Sequence, residues 1–564
     1  MLAIGDATLL RMRTRRALLG GFFTAVATSA AFLQCVGDSV VPPPGSDSGA
    51  DTGTTDGGKL DGASDAPVPE AGPPAPDGSL AWVQHFNSNV GLTEVAVRES
   101  GNVSFVVVGG YRNSASGNDA TTHIGSFDLP KGADTTLPLI AGLDGQGNPT
   151  WVNVPPSTPS GGLGGDVFLG SVVTDAAGDI YVAGTSSRAT VTLAQPHSGP
   201  IAFISKLTGD GKTFLWDHPI TNPDYIGAPH LAVSGKQVVV AFTYTKTITY
   251  DVSKSFTSSG AGDVAVLSLD PANGATRWAT TFGASTGAES ASGVALDPNG
   301  DAYVVGQGNG TINGTGAGFP LAANNTGGYD AILVKLAFAD GKAIFTKNWA
   351  TSGSQQSNAL GVDTRGSAVA VAGQFSGAVD FGKGVVGATG GTDGFVLVFD
   401  GATKATAFVA TAGGTDFDGF QSIGFDAWGQ VLATGQSASV DAKIGTKALK
   451  PATFRASSLL AAKWDASGAL LWANSVVPTL ANGNPPYSSP DATAPYLGIY
   501  PGGVRVSKGG FLVSTGALVG GANFGDGIYR PRLSGMGQEG IAFCFQPPCP
   551  PTLAPDGLVN AWSP

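Results

Sequence analysis

Hydrophobic residues along most of this chain alternate with polar ones in short runs that are separated by turns. In one recurring phrase an apolar strand leads to a turn rich in Asp and Gly, and a second apolar strand then ends at Gly, as in residues 172–184 and 293–306. Alternation with period two predicts β-strands, and the turn residues between two such runs predict hairpins. The phrase occurs seven times, and its other copies begin near Val95, Leu231, Gly361, Ile423 and Val504.

A second phrase joins an alternating strand, through a polar turn, to a strand that carries a large aromatic residue. Clear copies span residues 263–278 and 330–349. The spacings between successive aromatic residues are 69, 65, 62, 71, 59 and 64. This phrase also occurs seven times, independently of the first, and its aromatic positions are Trp82, Trp151, Trp216, Trp278, Trp349, Phe408 and Trp472.

Together the two phrases supply four short strands per repeat. Seven such repeats over residues 80–546 predict an all-β, seven-bladed β-propeller with four-stranded antiparallel blades. A single small sheet cannot bury both of its faces, so neighbouring blades must stack on each other. A β-helix is the main structural alternative, but its coils are usually shorter and lack this four-strand order.

The order of the strands also predicts how the repeat array closes. The last first-phrase copy has a third strand near residues 541–545 but no aromatic strand soon after it, whereas the array begins with an unpaired strand around Trp82. We expect the Trp82 strand to complete the seventh blade. Trp562 is the competing candidate, but its distance of 90 residues from Trp472 lies outside the observed spacings.

Several short motifs resemble the bacterial β-propeller repeats called SBBP repeats. They are the turn before Tyr-Val-Val-Gly in residues 297–306, the Asp and Val-Lys-Leu pattern of 328–336, and the Asp/Asn-Phe-Gly pattern of 379–382 and 522–525. The resemblance covers about residues 80–546 and implies the propeller fold. It implies little about activity, because this family is found in exported and surface proteins whose roles are mostly unassigned.

The N-terminus has the pattern of an export signal. Four arginines precede an apolar stretch of residues 17–33, so residues 1–34 are predicted to be a signal peptide. The motif around Arg15 and Arg16 leaves twin-arginine export open beside the general route. Cys35 follows, where a bacterial lipoprotein would be cleaved and acylated, although Phe32-Leu33-Gln34 departs from the usual pattern; cleavage at a nearby small residue is the alternative.

Residues 35–79 are almost purely Pro, Gly, Ser, Thr, Ala and Asp, which predicts a disordered linker. A lipidated Cys followed by such a spacer resembles surface lipoproteins of myxobacteria and their relatives. That resemblance implies an outer-membrane or cell-surface location, with a periplasmic or secreted protein as the alternative. At the other end, Cys544 and Cys549 flank a short loop that overlaps the start of the predicted tail of residues 547–564, and a disulfide between them is favoured over metal binding.

Composition narrows the possible partners. The chain has 85 Gly and 36 Pro, only 13% charged residues and a formal net charge of −12. An acidic protein without a basic run is a poor ligand for phosphate backbones, so nucleic acid is not an expected partner.

Catalytic and cofactor motifs are weak. The five histidines have no metal-ligand spacing, and no cofactor is predicted. Calcium at the turns that contain Asp175 and Asp297 is the one alternative to simple Asx turns. Residues 270–278 resemble one repeat of the quinoprotein propellers, which oxidise alcohols or sugars, but that phrase is not repeated here.

Two hypotheses of function follow. The first is a non-enzymatic scaffold, anchored to a membrane by lipid, that binds a protein or a glycan. The second is an exported enzyme, quinoprotein-like or a hydrolase or lyase, with acids such as Asp363, Asp416 and Asp426 converging from different blades. Several acids facing a His or Arg near the axis would favour the enzyme, whereas a mouth lined by Gly, Ala and Ser would argue against it.

Overall fold

The computed structural model has only β-strands as regular elements in its described part, which confirms the predicted all-β class. No helix in that part has the length and hydropathy that crossing a membrane requires. The structure describes residues 79–546, 552–553 and 559–560. Within 79–546 it does not describe residues 86–89, 100–102, 112–122, 131–134, 160–165, 222–223, 324–327, 352–355, 450–455, 480–496, 508–511, 520, 524–527 and 530–537.

The strands of the described residues are arranged here in seven groups, numbered in sequence order. The chain begins with β1 (Ser79–His85). Group 1 contains β2 (Val90–Arg98), β3 (Ser104–Tyr111), β4 (His123–Ile124), β5 (Phe127–Asp128), β6 (Leu137–Leu143) and β7 (Pro149–Asn153). After β8 (Ser157–Pro159), group 2 contains β9 (Val167–Thr174), β10 (Ile180–Ser186), β11 (Ala189–Thr192), β12 (Pro196–Ser198), β13 (Ile201–Leu207) and β14 (Phe214–Thr221).

Groups 3 to 5 repeat this order. Group 3 contains β15 (His230–Ser234), β16 (Gln237–Tyr244), β17 (Thr247–Asp251), β18 (Lys254–Thr257), β19 (Asp263–Leu269) and β20 (Thr276–Phe282). Group 4 contains β21 (Glu289–Leu296), β22 (Ala302–Gly308), β23 (Thr311–Ile312), β24 (Leu321–Ala322), β25 (Asp330–Leu336) and β26 (Ala343–Trp349). Group 5 contains β27 (Ser357–Arg365), β28 (Ala368–Phe375), β29 (Ala378–Asp380), β30 (Val385–Gly387), β31 (Asp393–Asp400) and β32 (Thr406–Gly413).

Groups 6 and 7 complete the array. Group 6 contains β33 (Asp418–Phe425), β34 (Val431–Ser437), β35 (Lys443–Ile444), β36 (Lys447–Ala448), β37 (Ala456–Trp464) and β38 (Leu470–Val476). After β39 (Pro478–Thr479), group 7 contains β40 (Leu497–Val506), β41 (Leu512–Val519), β42 (Gly521–Asn523), β43 (Ile528–Tyr529) and β44 (Gln538–Gln546). The last two strands are β45 (Thr552–Leu553) and β46 (Val559–Asn560).

Within each of groups 1 to 6, four long strands pair antiparallel in chain order. Hairpins extend the sheets of groups 2 and 5 at their outer edges, and a short parallel pairing of β37 with β40 joins groups 6 and 7 into one eight-stranded sheet. Group 7 receives its fourth strand from the start of the array, because β1 pairs antiparallel with β44 and places Trp82 opposite Cys544. This is the pairing that the sequence predicted for the Trp82 strand, whereas Trp562 lies outside the described residues.

The first strands of the seven groups contact one another in a closed cycle. The contacts run from β2 to β9, β15, β21, β27, β33 and β40, and β40 in turn contacts β2. We call these seven strands the inner strand cycle. The hydrophobic core lies between successive groups, where the second and third strands of neighbours interdigitate. Strands such as β19 are buried along their whole length, which explains their continuous apolar runs.

The repeat aromatics pack on the next group at a fixed register. Trp216 lies opposite Lys206 in β13, and its ring packs on Gly274, a residue with positive φ in the last turn of the following group. Trp278 repeats this contact with Gly341. The same relation holds for Trp151 with Gly211 and Phe408 with Gly468, and Trp472 occupies the equivalent register position in β38.

The structure corrects the assignment of Trp349 to this series. The register-equivalent residue in β26 is Phe345, which lies opposite Lys335 and packs beneath Lys404, a residue with positive φ in the last turn of group 5. Trp349 lies four residues further on, fully buried, with its ring edge-on to Phe399. With Phe345 the two spacings become 67 and 63 residues, closer to those of the other repeats.

Four sequence predictions lie outside the described residues. They are the signal peptide of residues 1–34, the acylated Cys35, the linker up to residue 78, and the bond from Cys544 to Cys549, of which only the backbone of Cys544 is described. The tail predicted for residues 547–564 includes the small β45–β46 pair.

Candidate functional site

The inner strand cycle carries a repeated irregularity. In the first strands of groups 1, 2, 4, 5, 6 and 7 the register with the second strand shifts at a β-bulge. A bulge leaves one residue outside the ladder and turns the following side chains. The bulges therefore set which side chains project from the inner strands.

Four ionisable side chains from four groups form what we call the inner cluster: Glu94, His230, Asp363 and Arg505. Arg505 Nη1 lies 3.5 Å from Glu94 Oε1, and the two side chains are 33% and 13% exposed. Asp363 Oδ2 accepts a hydrogen bond of 2.8 Å from the backbone N–H of Phe425. Because the charge of Arg505 acts on Glu94, His230 and Asp363 alike, it is the electrostatic centre of the cluster.

Burial controls the protonation of the inner cluster. It raises the pKa of Glu94, against the opposing effects of Arg505 and the Val95 N–H. It also raises the pKa of Asp363, which its two backbone hydrogen bonds and Arg505 oppose. Burial and the positive charge of Arg505 lower the pKa of His230 to about 4. The imidazole is therefore neutral at neutral pH, beside a permanent cation.

Polar side chains of the inner strand cycle also bridge its members. Thr93 Oγ1 donates to Leu169 O over 2.6 Å, and Ser171 Oγ accepts from the Leu231 N–H. The junction of groups 3 and 4 is bridged from the adjacent strand β16, where Thr243 Oγ1 accepts from the Ala291 N–H. The other junctions are bridged by Thr364 to Leu296, Asp363 to Phe425, Ser422 to Val504 and Arg505 to Glu94. Every junction of the cycle thus has a side-chain bridge, and the inner cluster supplies two of them.

The two aspartate turns that the sequence suggested as calcium sites each bind the ammonium group of a lysine. In group 4, Asp297 Oδ1 accepts from the N–H groups of Asn299 and Asp301, as an Asx turn requires. Lys335 Nζ lies 2.9 Å from Asp297 Oδ2 and 3.2 Å from Asp301 Oδ2. No group of three or more His, Cys, Asp or Glu in the described ranges is placed to hold a metal ion.

The same arrangement occurs in alternate groups. Lys206 pairs with Asp179 in group 2, and Lys463 pairs with Asp426 in group 6. Asp426 is thus the partner of a buried lysine. Asp416 lies in a loop, where its carboxylate accepts from the Phe417 N–H. Of the three acids named from the sequence, only Asp363 belongs to the inner cluster.

Buried acids also lie near one another at the ends of the sheets where β21 and β33 begin. Glu289, at the start of β21, accepts a hydrogen bond of 2.7 Å from the Ala284 N–H. Burial raises the pKa of Glu289 to about 8, and the nearby charge of Asp263 contributes to this rise. Asp418, at the start of β33, is the equivalent residue beside Asp393, and burial raises its pKa to about 6.

The remaining histidines with described side chains contact individual carboxylates or carbonyls. His123 pairs with Asp128 and His197 with Asp217, while His218 Nδ1 lies 3.1 Å from Gly274 O. His218 also lies near the charges of Asp251 and Asp217, whereas His230 lies near the charge of Arg505 and belongs to the inner cluster. Sequence reasoning did not select Glu94, His230 or Arg505 as a group, because they lie in different repeats and only the closed cycle brings them together.

Comparison with known proteins gives fold-level likeness alone. No family model and no curated protein matches the chain. The Dos1 propeller matches with 10% identity and a TM-score of 0.37, over 82% of this chain and 95% of that one. Quinohemoprotein alcohol dehydrogenase from Comamonas testosteroni matches with 12% identity and a TM-score of 0.33, over 82% and 76% of the two chains. The α-L-arabinofuranosidase Arb93A from Fusarium graminearum matches with 8% identity and a TM-score of 0.34, over 83% and 98%. Identities and TM-scores this low transfer no property of those proteins to this chain.

Proposed function

We propose that this chain is an exported seven-bladed β-propeller that serves as a non-enzymatic binding scaffold for a protein or a glycan. The observation that carries the proposal is the closed inner strand cycle, in which the polar side chains at the centre are used to bridge neighbouring groups. A ring bridged at each junction presents its outer loops from a rigid frame, and loops on a rigid frame are where binding residues concentrate.

The seven groups correspond to the seven blades of the proposal. Three observations support the count: four antiparallel strands in each group, an aromatic contact that recurs from group to group, and β1 as the last strand of group 7. Pairing the first strand of the array with the last group closes a propeller, because β1 gives β44 the fourth-strand partner that each other group supplies for itself.

Anchoring belongs to the same proposal. A signal peptide, an acylated Cys35 and an extended acidic linker would hold the propeller away from a bacterial outer membrane. Mass spectrometry of the mature N-terminus tests this directly. We expect a lipid-modified Cys35 in the wild type and unanchored protein from Cys35→Ser; an unmodified terminus at another residue would contradict the anchor but leave the scaffold untouched.

Binding is tested with the full mature chain on arrays of immobilised glycans and by cross-linking on intact envelopes. We expect saturable binding to one ligand class, competed by that ligand in solution. Absence of saturable binding in both formats would overturn the scaffold proposal.

The inner cluster favours one alternative, an exported enzyme that works at the centre of the cycle. A neutral imidazole beside two carboxyl groups and a guanidinium is a set that acid–base catalysis can use. A panel of p-nitrophenyl glycosides and esters separates the two functions. Turnover that His230→Gln abolishes, with the melting temperature unchanged, would establish the enzyme; the scaffold proposal expects no turnover.

A further inference from the structure

A crevice between groups 5 and 6 has side chains that the repeat does not require. It encloses about 280 Å³, near the lower end of the usual range for small-molecule pockets of about 300–1,000 Å³. We call it the Trp428 crevice. Its principal lining residues are Arg365, Asp400, Phe408, Phe425 and Trp428.

Trp428 stands where the other repeats have small or polar residues. It occupies the third position of the turn 426–430, which Asp426 Oδ1 builds by accepting from the N–H groups of Trp428 and Gln430. The equivalent residues in groups 2 and 4 are Ala177 and Asn299, whose turns have the same hydrogen bonds. The turn therefore does not need the indole, which is only partly buried.

One cation and one anion line the same crevice. Arg365 donates from Nη2 to Ala427 O, which fixes a guanidinium whose other N–H groups can serve a ligand. Asp400 Oδ2 accepts from Ser367 Oγ and Oδ1 accepts from Ala402 N and Thr403 N, and these hydrogen bonds lower the pKa of Asp400 to about 2. The opposite charges compensate, so the crevice favours a neutral ligand that both donates and accepts hydrogen bonds.

We propose that the Trp428 crevice binds a single neutral sugar ring. A pyranose has an apolar C–H face that can lie on the indole, and adjacent hydroxyl groups that can accept from Arg365 and donate to Asp400. The volume suits one ring rather than a long chain. This inference rests on the proposed binding role and specifies a glycan, rather than a protein, as the ligand.

The test is saturation-transfer NMR on the full mature chain with glucose, galactose, mannose and N-acetylglucosamine, and with glucuronate as the charged comparison. We expect transfer to at least one neutral sugar and weaker transfer to glucuronate. Trp428→Ala and Arg365→Gln should each weaken binding at least tenfold. Asn299→Ala, at the equivalent turn of group 4, is the matched control and should bind as the wild type does.

Thermal melts confirm that each variant is folded, and Trp428→Phe keeps a ring in place should the alanine variant fail to fold. A neutral sugar that binds wild type and Trp428→Ala equally well would overturn the Trp428 crevice as the sugar site, while leaving the proposal of a glycan-binding scaffold intact. A wild type that binds none of these sugars overturns the crevice inference, and the glycan-array and cross-linking experiments still decide the scaffold proposal.

Discussion

Charged residues are few in this chain, and several of the buried ones form an ion pair with a residue of opposite charge. Lys463 and Asp426 are essentially inaccessible to water and form an ion pair at 3.0 Å. Glu289 has no such cation among its described neighbours and lies beside Asp263 instead. Burial without a counter-charge favours the protonated carboxyl, so the two kinds of site must respond differently to pH and to substitution.

The first prediction concerns Glu289→Gln. The pKa of Glu289 is about 8 in the folded chain and near its ordinary value of 4.5 when unfolded, so the folded state binds the proton more tightly. Its contribution to stability is therefore complete below pH 4.5 and is lost as the pH rises towards 8, by up to ~1.4 kcal/mol per pH unit. The variant should have a flatter dependence of melting temperature on pH across this window.

Asp340→Asn is the control, because Asp340 is exposed and Lys342 lowers its pKa. It should leave the slope between pH 5 and 8 unchanged. A Glu289→Gln variant with the full wild-type slope would show that Glu289 does not bind the proton.

The second prediction concerns Lys335→Met. Removing the ammonium leaves Asp297 and Asp301 charged, close together and mostly buried, and breaking a buried pair in this way costs about 3–5 kcal/mol. Denaturant unfolding should show the loss, and adding Asp297→Asn with Asp301→Asn should recover much of it. Lys342→Met, in an exposed pair with Asp340, is the matched control and should change little.

At the scale of the turn and strand, a large ring and a residue with positive φ act as a pair. A Cβ on Gly341 would lie 2.4 Å from Trp278 Cε3, closer than carbon atoms can approach. In the last turn of group 5 the residue with positive φ is Lys404, and the ring beneath it is Phe345 rather than Trp. Ring size alone does not decide the turn residue, because a Cβ on Gly468 would lie 2.5 Å from Phe408 Cγ; the closeness of the ring to the turn does.

The third prediction follows from the contact between Trp278 and Gly341. Gly341→Ala should destabilise the chain through both the strained φ and the clash with Trp278. Gly366→Ala is the matched control, since Gly366 also has positive φ but open space at its Cβ. We expect Gly341→Ala to lose at least ~1 kcal/mol more than Gly366→Ala in denaturant unfolding. Equal losses would mean that the ring contact contributes nothing.

Periodicity predicted the strands and the pairing of β1 because both depend on local alternation and on the order of phrases. It misplaced the aromatic of group 4, because Phe345 and Trp349 both lie in β26 and only the register with Lys335 distinguishes them. Nor could it predict the inner cluster or the Trp428 crevice. Those sites combine residues from separate groups, such as Arg365 with Trp428, and depend on how the groups pack.

For the whole molecule, the closed inner strand cycle requires that the two ends of the array meet. Group 7 depends on β1 for its fourth strand, while Arg505 and Glu94 bridge its inner strand to β2. Contacts between residues so distant in sequence cost loop entropy, which many cooperative contacts around the ring must offset. Closure should therefore stabilise all groups together rather than group 7 alone.

The fourth prediction tests closure by truncation. Deleting residues 36–86 removes β1 together with the linker, whereas deleting residues 36–77 removes the linker alone and serves as the control. The longer deletion leaves the edge of β44 without a partner, so the melting temperature of the whole chain should fall in one cooperative step. The shorter deletion should melt as the wild type does. If the longer deletion lowered the melting temperature of only a minor, separate transition, group 7 would unfold independently of the others. The seven groups would then not form one cooperative ring.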